Sequence, residues 1–259
     1  DREAIGTELR YFRDGASVFG LVDYETSYKE LNIFLLQGNW ISAAGTVYNV
    51  LLDYRKSPPL QTSNALIGET AGSIEELLAT QSEDQIRSDA RAKTATSKVA
   101  AVGVLHPLST RWQVGADLTV TNTSGTPAAG SQPASAATGN IYTYAGKLIG
   151  TGLVTTSDVG VASVAHTTGN AYDANSITIT HRVPFGRLRV DVLLKHYEQD
   201  NSNGTSLTRI TPGVKFDYQW RRSVALEFEY NQERTTTSGV STDETSVRDF
   251  FLLGYRWDF

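Results

Sequence analysis

Apolar and polar side chains exchange places every second residue along most of this chain, the period of a β-strand with two unlike faces. The end of the chain shows it most sharply. Phe251, Leu253, Tyr255, Trp257 and Phe259 fall on one face, while Leu252, Gly254, Arg256 and Asp258 fall on the other. Near the start, Ile5, Thr7, Leu9 and Tyr11 alternate with Gly6, Glu8 and Arg10, and Val18, Gly20, Val22 and Tyr24 face away from Asp23 and Glu25. Tyr48, Val50, Leu52 and Tyr54 alternate with Asn49, Asp53 and Arg55, and 31–40 is a more continuously apolar strand. Further strands are expected at 96–105, 111–123, 140–153, 158–167, 175–183, 187–198, 207–220, 223–235 and 245–259, about thirteen in all. A turn at 221–223 sets Phe216 opposite Phe228 and Lys215 opposite Glu229. It also sets Asp217 opposite Glu227, a like-charge pair that needs a cation from the diagonal Lys215 or from a neighbouring strand.

The connections fall into two kinds. Short turns follow odd strands, at 13–16, 43–45, 106–110, 155–157, 184–186 and 221–223; longer ones mostly follow even strands, at 58–93, 124–139, 168–174, 199–206 and 236–244. The short link at 27–29 is the exception. The 58–93 segment is too long to lack structure. Ser73-Ile74-Glu75-Glu76 and Ser82-Glu83-Asp84-Gln85 fit helix capping boxes. They predict helices at about 74–80 and 83–91, with Ile74, Leu77, Leu78 and Ile86 buried. Such an insertion could plug a lumen or cap one rim. The Ala/Ser/Gly/Pro-rich 125–139 reads as mobile coil.

Strands apolar on one face and polar on the other, with short turns on one rim and long loops on the other, fit an antiparallel transmembrane β-barrel with a lipid-facing wall and a wet lumen. Mean hydropathy is −0.26, and no run of about 18 apolar residues occurs; barrel strands need only about ten residues of alternating polarity. The 12 Tyr, 9 Phe and 4 Trp suit an aromatic interface belt, and Trp40, Trp112, Trp220 and Trp257 fall at short-turn strand ends. The terminal Gly254-Tyr255-Arg256-Trp257-Asp258-Phe259 resembles the recognition strand of bacterial outer-membrane proteins, with Gly254, Tyr255, Trp257 and Phe259 carrying the likeness. That resemblance implies a Gram-negative outer-membrane location, outer-membrane lipid as a partner, and insertion by the barrel-assembly machinery. Together with Gly6-Thr7-Glu8-Leu9-Arg10-Tyr11-Phe12 and Ser73-Ile74-Glu75-Glu76-Leu77-Leu78, this end resembles the C-terminal barrel of large tetratricopeptide-repeat outer-membrane proteins. No repeat lies within the chain. The resemblance implies a porin-like barrel that exports a polysaccharide or surface polymer, with a periplasmic scaffold supplied upstream.

Residues 1–259 read as a single barrel domain. Methionine is absent even from position 1, so the chain is expected to be a processed chain or, the favoured reading, the C-terminal part of a longer protein. Parity points the same way. Thirteen strands whose last runs toward the periplasm would start outside the cell, and bacterial barrels have even counts; fourteen strands are expected in the parent.

Cysteine is absent, so no disulfide framework or thiolate site exists. Net charge is −5 and pI about 5.4, which argues against nucleic acid as a partner. His106, His166, His181 and His196 are scattered, with no metal-ligand spacing, and no nucleophile elbow or phosphate loop occurs. No cofactor, metal or catalytic set is expected. A Ser or Asp at a rim within reach of a His would instead point to a barrel-borne hydrolase. The polar face is rich in charge. Its lumen-facing candidates are Glu8, Arg10, Asp23, Glu25, Asp53, Arg55, Asp117, Arg182, Arg189, Asp191, Lys195, Lys215, Asp217, Glu227, Glu229, Arg256 and Asp258. They suit either a hydrated conduit or a salt-bridged interior that closes an anchoring barrel. Mixed signs imply no strong ion selectivity.

Overall fold

A computed structural model describes residues 2–239 and 243–257. Thirteen strands form one antiparallel sheet in which sequence neighbours are spatial neighbours throughout. They are β1 (Ala4–Arg13), β2 (Ala16–Glu25), β3 (Glu30–Ile41), β4 (Val47–Ser57), β5 (Ala95–Pro107), β6 (Trp112–Thr123) and β7 (Gly139–Thr151). Then come β8 (Val159–Thr168), β9 (Tyr172–Phe185), β10 (Leu188–Asn201), β11 (Ser206–Arg221), β12 (Val224–Ser238) and β13 (Asp243–Trp257). Every expected strand is present.

The turns follow backbone chemistry. Asp14-Gly15 closes β1 on β2 with Arg13 opposite Ala16, and Gly15 has φ +74°, the left-handed conformation that tight hairpins need. The β9–β10 turn differs from expectation. Pro184 and Phe185 belong to β9, and the reversal falls on Gly186-Arg187, where Gly186 takes φ +60°. The 221–223 turn is also tighter than expected, with Arg221 opposite Val224 and an irregularity at Trp220.

Contacts divide the chain into two compact units, and the same two-faced wall is found in each. Across β1 to β4, Leu9, Gly20, Leu36 and Leu52 form an apolar row, and Glu8, Leu21, Leu35 and Asp53 lie on the opposite face. Across β9 to β13, the apolar row is Val183, Val190, Phe216, Phe228 and Leu253. Apolar-face side chains such as Leu9, Ile177, Leu194, Phe251 and Leu253 are exposed, with no layer packed over them. The four tryptophans lie at short-turn strand ends, all exposed, and Trp40 stacks on Tyr48 at 5.1 Å. In β10 to β12 the strands continue beyond the apolar band into ends that are polar on both faces, such as Gln199-Asp200-Asn201 and Thr235 to Ser238.

The buried apolar cluster belongs to the insertion rather than to the sheet. It comprises Tyr28, Leu60, Ala65, Leu77, Ile86 and Ala90. A 3-10 turn (Thr62–Leu66), α1 (Ile74–Leu78) and α2 (Glu83–Ala92) enclose it. Ser73 and Ser82 cap the two helices, accepting from the backbone N–H of Glu76 and Gln85. Glu76 reaches back one residue further than a capping box requires, to the N–H of Gly72 at 2.8 Å. α1 stops at Leu78, short of the expected 80, and Leu78 is exposed rather than buried. Leu60 and Ala90 take its place in the core.

The insertion is bolted to the wall at the β2–β3 link. Asn32, fully buried, accepts from the Leu60 N–H at 2.8 Å and donates to the Leu60 carbonyl at 3.4 Å. Tyr28 donates to Thr62, and Arg91 lies over the Tyr28 ring while bonding Glu30 at 2.6 Å. Lys56 pairs with the same Glu30.

Residues 125–139 are not coil. Two bridges, Thr126 with Ser135 and Ala129 with Gln132, fold them into a small hairpin. Its tip meets the insertion where Ser131 N–H donates to the Gly68 carbonyl at 3.1 Å. The backbones touch because both sides are glycine: a Cβ on Gly68 would lie 1.8 Å from the Ala129 oxygen. Gly68→Val is therefore expected to release the hairpin from the insertion and leave the sheet intact. Faster amide exchange confined to about 126–135 checks this, and unchanged exchange there would refute it.

Candidate functional site: a charge ladder on the polar face

Four strands place charges of opposite sign side by side. On the polar face of β9 to β12, Arg182, Asp191, Lys215 and Glu229 form one cross-strand row. One step toward the short turns, Arg189, Asp217 and Glu227 form the next. Period two puts all seven on one side. The register is the expected one: Phe216 faces Phe228, Lys215 faces Glu229 and Asp217 faces Glu227.

The side chains join the two rows diagonally. Arg182 Nε donates to Asp191 at 2.9 Å, and Arg189 lies 3.5 Å from Asp191 and bonds Asp217. Lys215 lies 3.9 Å from Asp217 and bonds Glu227. The Asp217–Glu227 repulsion is thus relieved from both directions, by Lys215 diagonally and by Arg189 of the next strand. Three cations face four carboxylates, and Glu229 has no cation bonded to it among the described residues. It accepts instead from Asn231 Nδ2 at 2.5 Å.

Beside the ladder lies a hollow of about 480 Å³ lined by Thr180, Arg182, Asp191, Leu193, Gly213, Lys215, Glu229 and Asn231, among others. That is within the range of small-solute sites. Gly213 opens it. Asn231 lies across the glycine so closely that a Cβ would be 2.1 Å from its Oδ1. The neighbouring Pro212 has no N–H to give, and the β11–β12 ladder is interrupted opposite Thr211 and Pro212.

The other candidates separate into local pairs. Glu8 bonds Arg10, which also lies 5.8 Å over the Phe19 ring, and Asp53 bonds Arg55 on its own strand. Asp117 pairs with Lys147 at 3.1 Å. Asp23 bonds Arg2 at 2.5 Å. Lys195 has no ion pair among the described residues, and Arg256 shares the ladder's face opposite Ala225. Glu25 is fully buried at a strand end, accepting from the Glu3 N–H at 3.0 Å, with Arg2, which also bonds Asp23, at 3.6 Å. Thr26 closes over it by bonding the Glu3 carbonyl. On β13, Tyr255 and Trp257 stand on the exposed apolar face and Gly254 faces Glu227; Asp258 and Phe259 lie outside the described residues. Alternation found the ladder residues. It put Asn231 on the face of Glu227 and Glu229 without marking it as a site residue, and it did not find Gly213, for which the Pro212-Gly213 interruption within a strand was the available signal.

The histidines keep separate partners, and one bonds an aspartate. Asp158, in the turn before β8, is fully buried and meets His181 Nε2 at 2.7 Å. Its carboxylate also accepts from the N–H groups of Leu153, Val154 and Thr155. Thr155 Oγ1 points to Asp158 at 3.5 Å; Asp158 with His181 is the Asp–His pairing that the hydrolase alternative calls for, and no hydroxyl is bonded to His181 among the described residues. The arrangement is a clamp on the β7–β8 turn. Burial pushes the Asp158 carboxyl up, but the bonds from His181, Thr155, Val154 and Leu153 outweigh it and hold the group well below the usual carboxylate range. A depressed pKa contributes stability that is whole above the unfolded value of about 3.9 and lost as pH falls through the folded one. Asp158→Asn is thus expected to lower resistance to denaturant at pH 7 and to flatten its fall below about pH 4. Parallel wild-type and variant curves would refute the clamp.

No known protein family matches the sequence, and comparison with curated proteins finds no relative. Among solved structures the chain is similar to OmpT (in-vitro folded), an outer membrane protein of Vibrio cholerae, with TM-score 0.41 and 10% identity over 99% of this chain and 89% of that one.

Proposed function

We propose that this chain forms the wall of a transmembrane β-barrel in a Gram-negative outer membrane and serves as a conduit. One observation carries the reading: an apolar face on strand after strand, exposed, uncovered and edged by tryptophan at the short-turn ends. Exposed apolar side chains that recur across four strands in one unit and five in the other match what a lipid-facing wall requires. The opposite face carries the charge, including a ladder of three cations and four carboxylates, whose mixed signs suit passage of a polar solute without strong ion selection. Export of a polysaccharide or surface polymer, with a periplasmic scaffold outside these residues and insertion by the barrel-assembly machinery, is the finer form of this proposal. It rests on the terminal-strand resemblance.

A second reading is a closed barrel that anchors a periplasmic domain. The paired ladder and the firmly docked insertion favour it. Planar-bilayer conductance of the full-length protein, with and without residues 58–93, separates the two. Steady conductance of the intact protein is expected for an open conduit. Conductance only after deletion would make the insertion a plug. Silence in both, with the protein folded and inserted, would leave the anchor.

A further inference from the structure

The hollow beside the charge ladder has hydrogen-bond acceptors to spare. It is lined by two cross-strand rows of the polar face, all within one compact unit. The first row alternates in sign from strand to strand, as Arg182, Asp191, Lys215 and Glu229. The second, one step toward the long loops, is Val161, Thr180, Leu193, Gly213 and Asn231. Both cations of the first row are engaged, Arg182 with Asp191 and Lys215 with Glu227. Glu229 is bonded only by the Asn231 amide among the described residues. That contact fixes which way the amide points. A carboxylate takes the N–H side, so Oδ1 is the atom laid over Gly213. Among the described residues no donor meets Asn231 Oδ1, and Thr180 Oγ1 has no partner.

The chemistry of these groups selects a ligand. An ammonium has three N–H donors, no acceptor and one positive charge, the complement of a carboxylate without a bonded cation beside an amide oxygen and a hydroxyl. An anion would meet Glu229 and Asn231 Oδ1 while Arg182 and Lys215 are turned into other carboxylates. A neutral hydroxyl could use the acceptors but would leave the charge of Glu229 uncancelled. The rest of the ligand would lie on apolar surface, because Val161 and Leu193 share the second row. Gly213 brings the two kinds of surface together: the point where its Cβ would stand is 3.5 Å from Leu193 Cβ and closer still to Asn231 Oδ1. We propose that the hollow binds a small organic cation, a primary ammonium carried on an aliphatic body. Glu229 and Asn231 Oδ1 hold the nitrogen, and Val161 and Leu193 hold the carbon. The inference rests on the polar face being wet, as the conduit reading has it.

The test is a titration of the full-length protein in lipid nanodiscs, followed by NMR of labelled Val and Leu methyl groups. The probes are cyclohexylammonium, cyclohexanol and cyclohexanecarboxylate, alike in shape and different in charge. Saturable shifts at Val161 and Leu193 are expected from cyclohexylammonium alone. Glu229→Gln should weaken them at least about tenfold, the cost of losing a charge-assisted contact. Gly213→Ala, whose Cβ displaces Asn231 Oδ1, should do the same, and the methyl spectrum reports whether either variant is folded. Glu198→Gln, on the opposite face of the sheet, should change nothing. Equal shifts from cyclohexanol, or no saturable shift from any probe, would overturn the proposal. So would equal weakening by Glu198→Gln, which would mean diffuse attraction rather than a site. Bilayer conductance judges the conduit separately. Saturable binding in a protein that never conducts would sink the conduit and leave the site standing; steady conductance without binding would do the reverse.

Discussion

Lys215→Met is expected to be the most damaging single substitution on the polar face. Among the described residues the lysine is the one cation that bonds Glu227, and it also approaches Asp217. Without it, Asp217 faces Glu227 across the two strands with Glu229 two positions along, and among the described residues Arg189 alone offsets them. Exposed ion pairs are each worth about 0.2–1 kcal/mol, and like charges directly opposite cost a similar amount. Losing two contacts and exposing the repulsion together should cost about 1–2 kcal/mol. The denaturant midpoint of the lipid-inserted protein reads this directly. Adding Glu227→Gln should return most of the loss, because the second change removes the carboxylate left without a partner. If the double variant is no more stable than the single one, the ladder is not a coupled unit. In an open conduit the single variant should also shift the reversal potential toward cations in a salt gradient, since one positive charge leaves a site that already carries an excess carboxylate. An unchanged potential in a conducting protein would place the ladder away from the ion path.

The reach of the sequence differs sharply between these parts. Register was legible at β11–β12 because both strands alternate cleanly; the turn is one residue tighter than expected, and the irregularity at Trp220 makes up the difference, so Phe216 still faces Phe228. The rescue of Asp217 by Lys215 and Arg189 followed from that register. The hollow beside it was not legible, since it depends on the Asn231 side chain lying over Gly213, a matter of rotamer rather than period. The helices of the insertion were legible from Ser73 and Ser82, because caps are local. Its docking was not, since Asn32 and Leu60 are 28 residues apart. Within the continuously apolar 31–40 segment, Asn32 looks like a polar interruption. It sits where the β2–β3 register slips between Asp23 and Tyr24, and that slip frees its side chain to act as a piece of backbone for Leu60. Composition misled at 125–139, because small residues read as coil also allow backbones to meet, as Gly68 and Gly130 do.

Asn32 is also where the insertion should be easiest to detach. The side chain supplies both an acceptor and a donor to Leu60, and both residues are fully buried. Asn32→Ala leaves the Leu60 N–H and carbonyl without those partners, at about 1–3 kcal/mol for each group that stays buried and unsatisfied. The cheaper outcome is for the segment to lift away and hydrate them. The contacts that remain, Tyr28 with Thr62 and Arg91 with Glu30 and the Tyr28 carbonyl, include an ion pair that contributes little on its own. The variant should therefore keep slow exchange through β2 to β4 while exchange in α1 and α2 rises by one to two orders of magnitude, the factor that about 1.4–2.8 kcal/mol represents. Asn32→Asp separates the two bonds, keeping the acceptor for the Leu60 N–H and losing the donor to its carbonyl, so it should fall between wild type and alanine. Equal protection of the helices in all three proteins would show that Tyr28 and Glu30 alone hold the insertion. If helix protection is lost and bilayer conductance rises with it, the insertion restricts passage by virtue of this anchor; if protection is lost at constant conductance, it stands clear of the path.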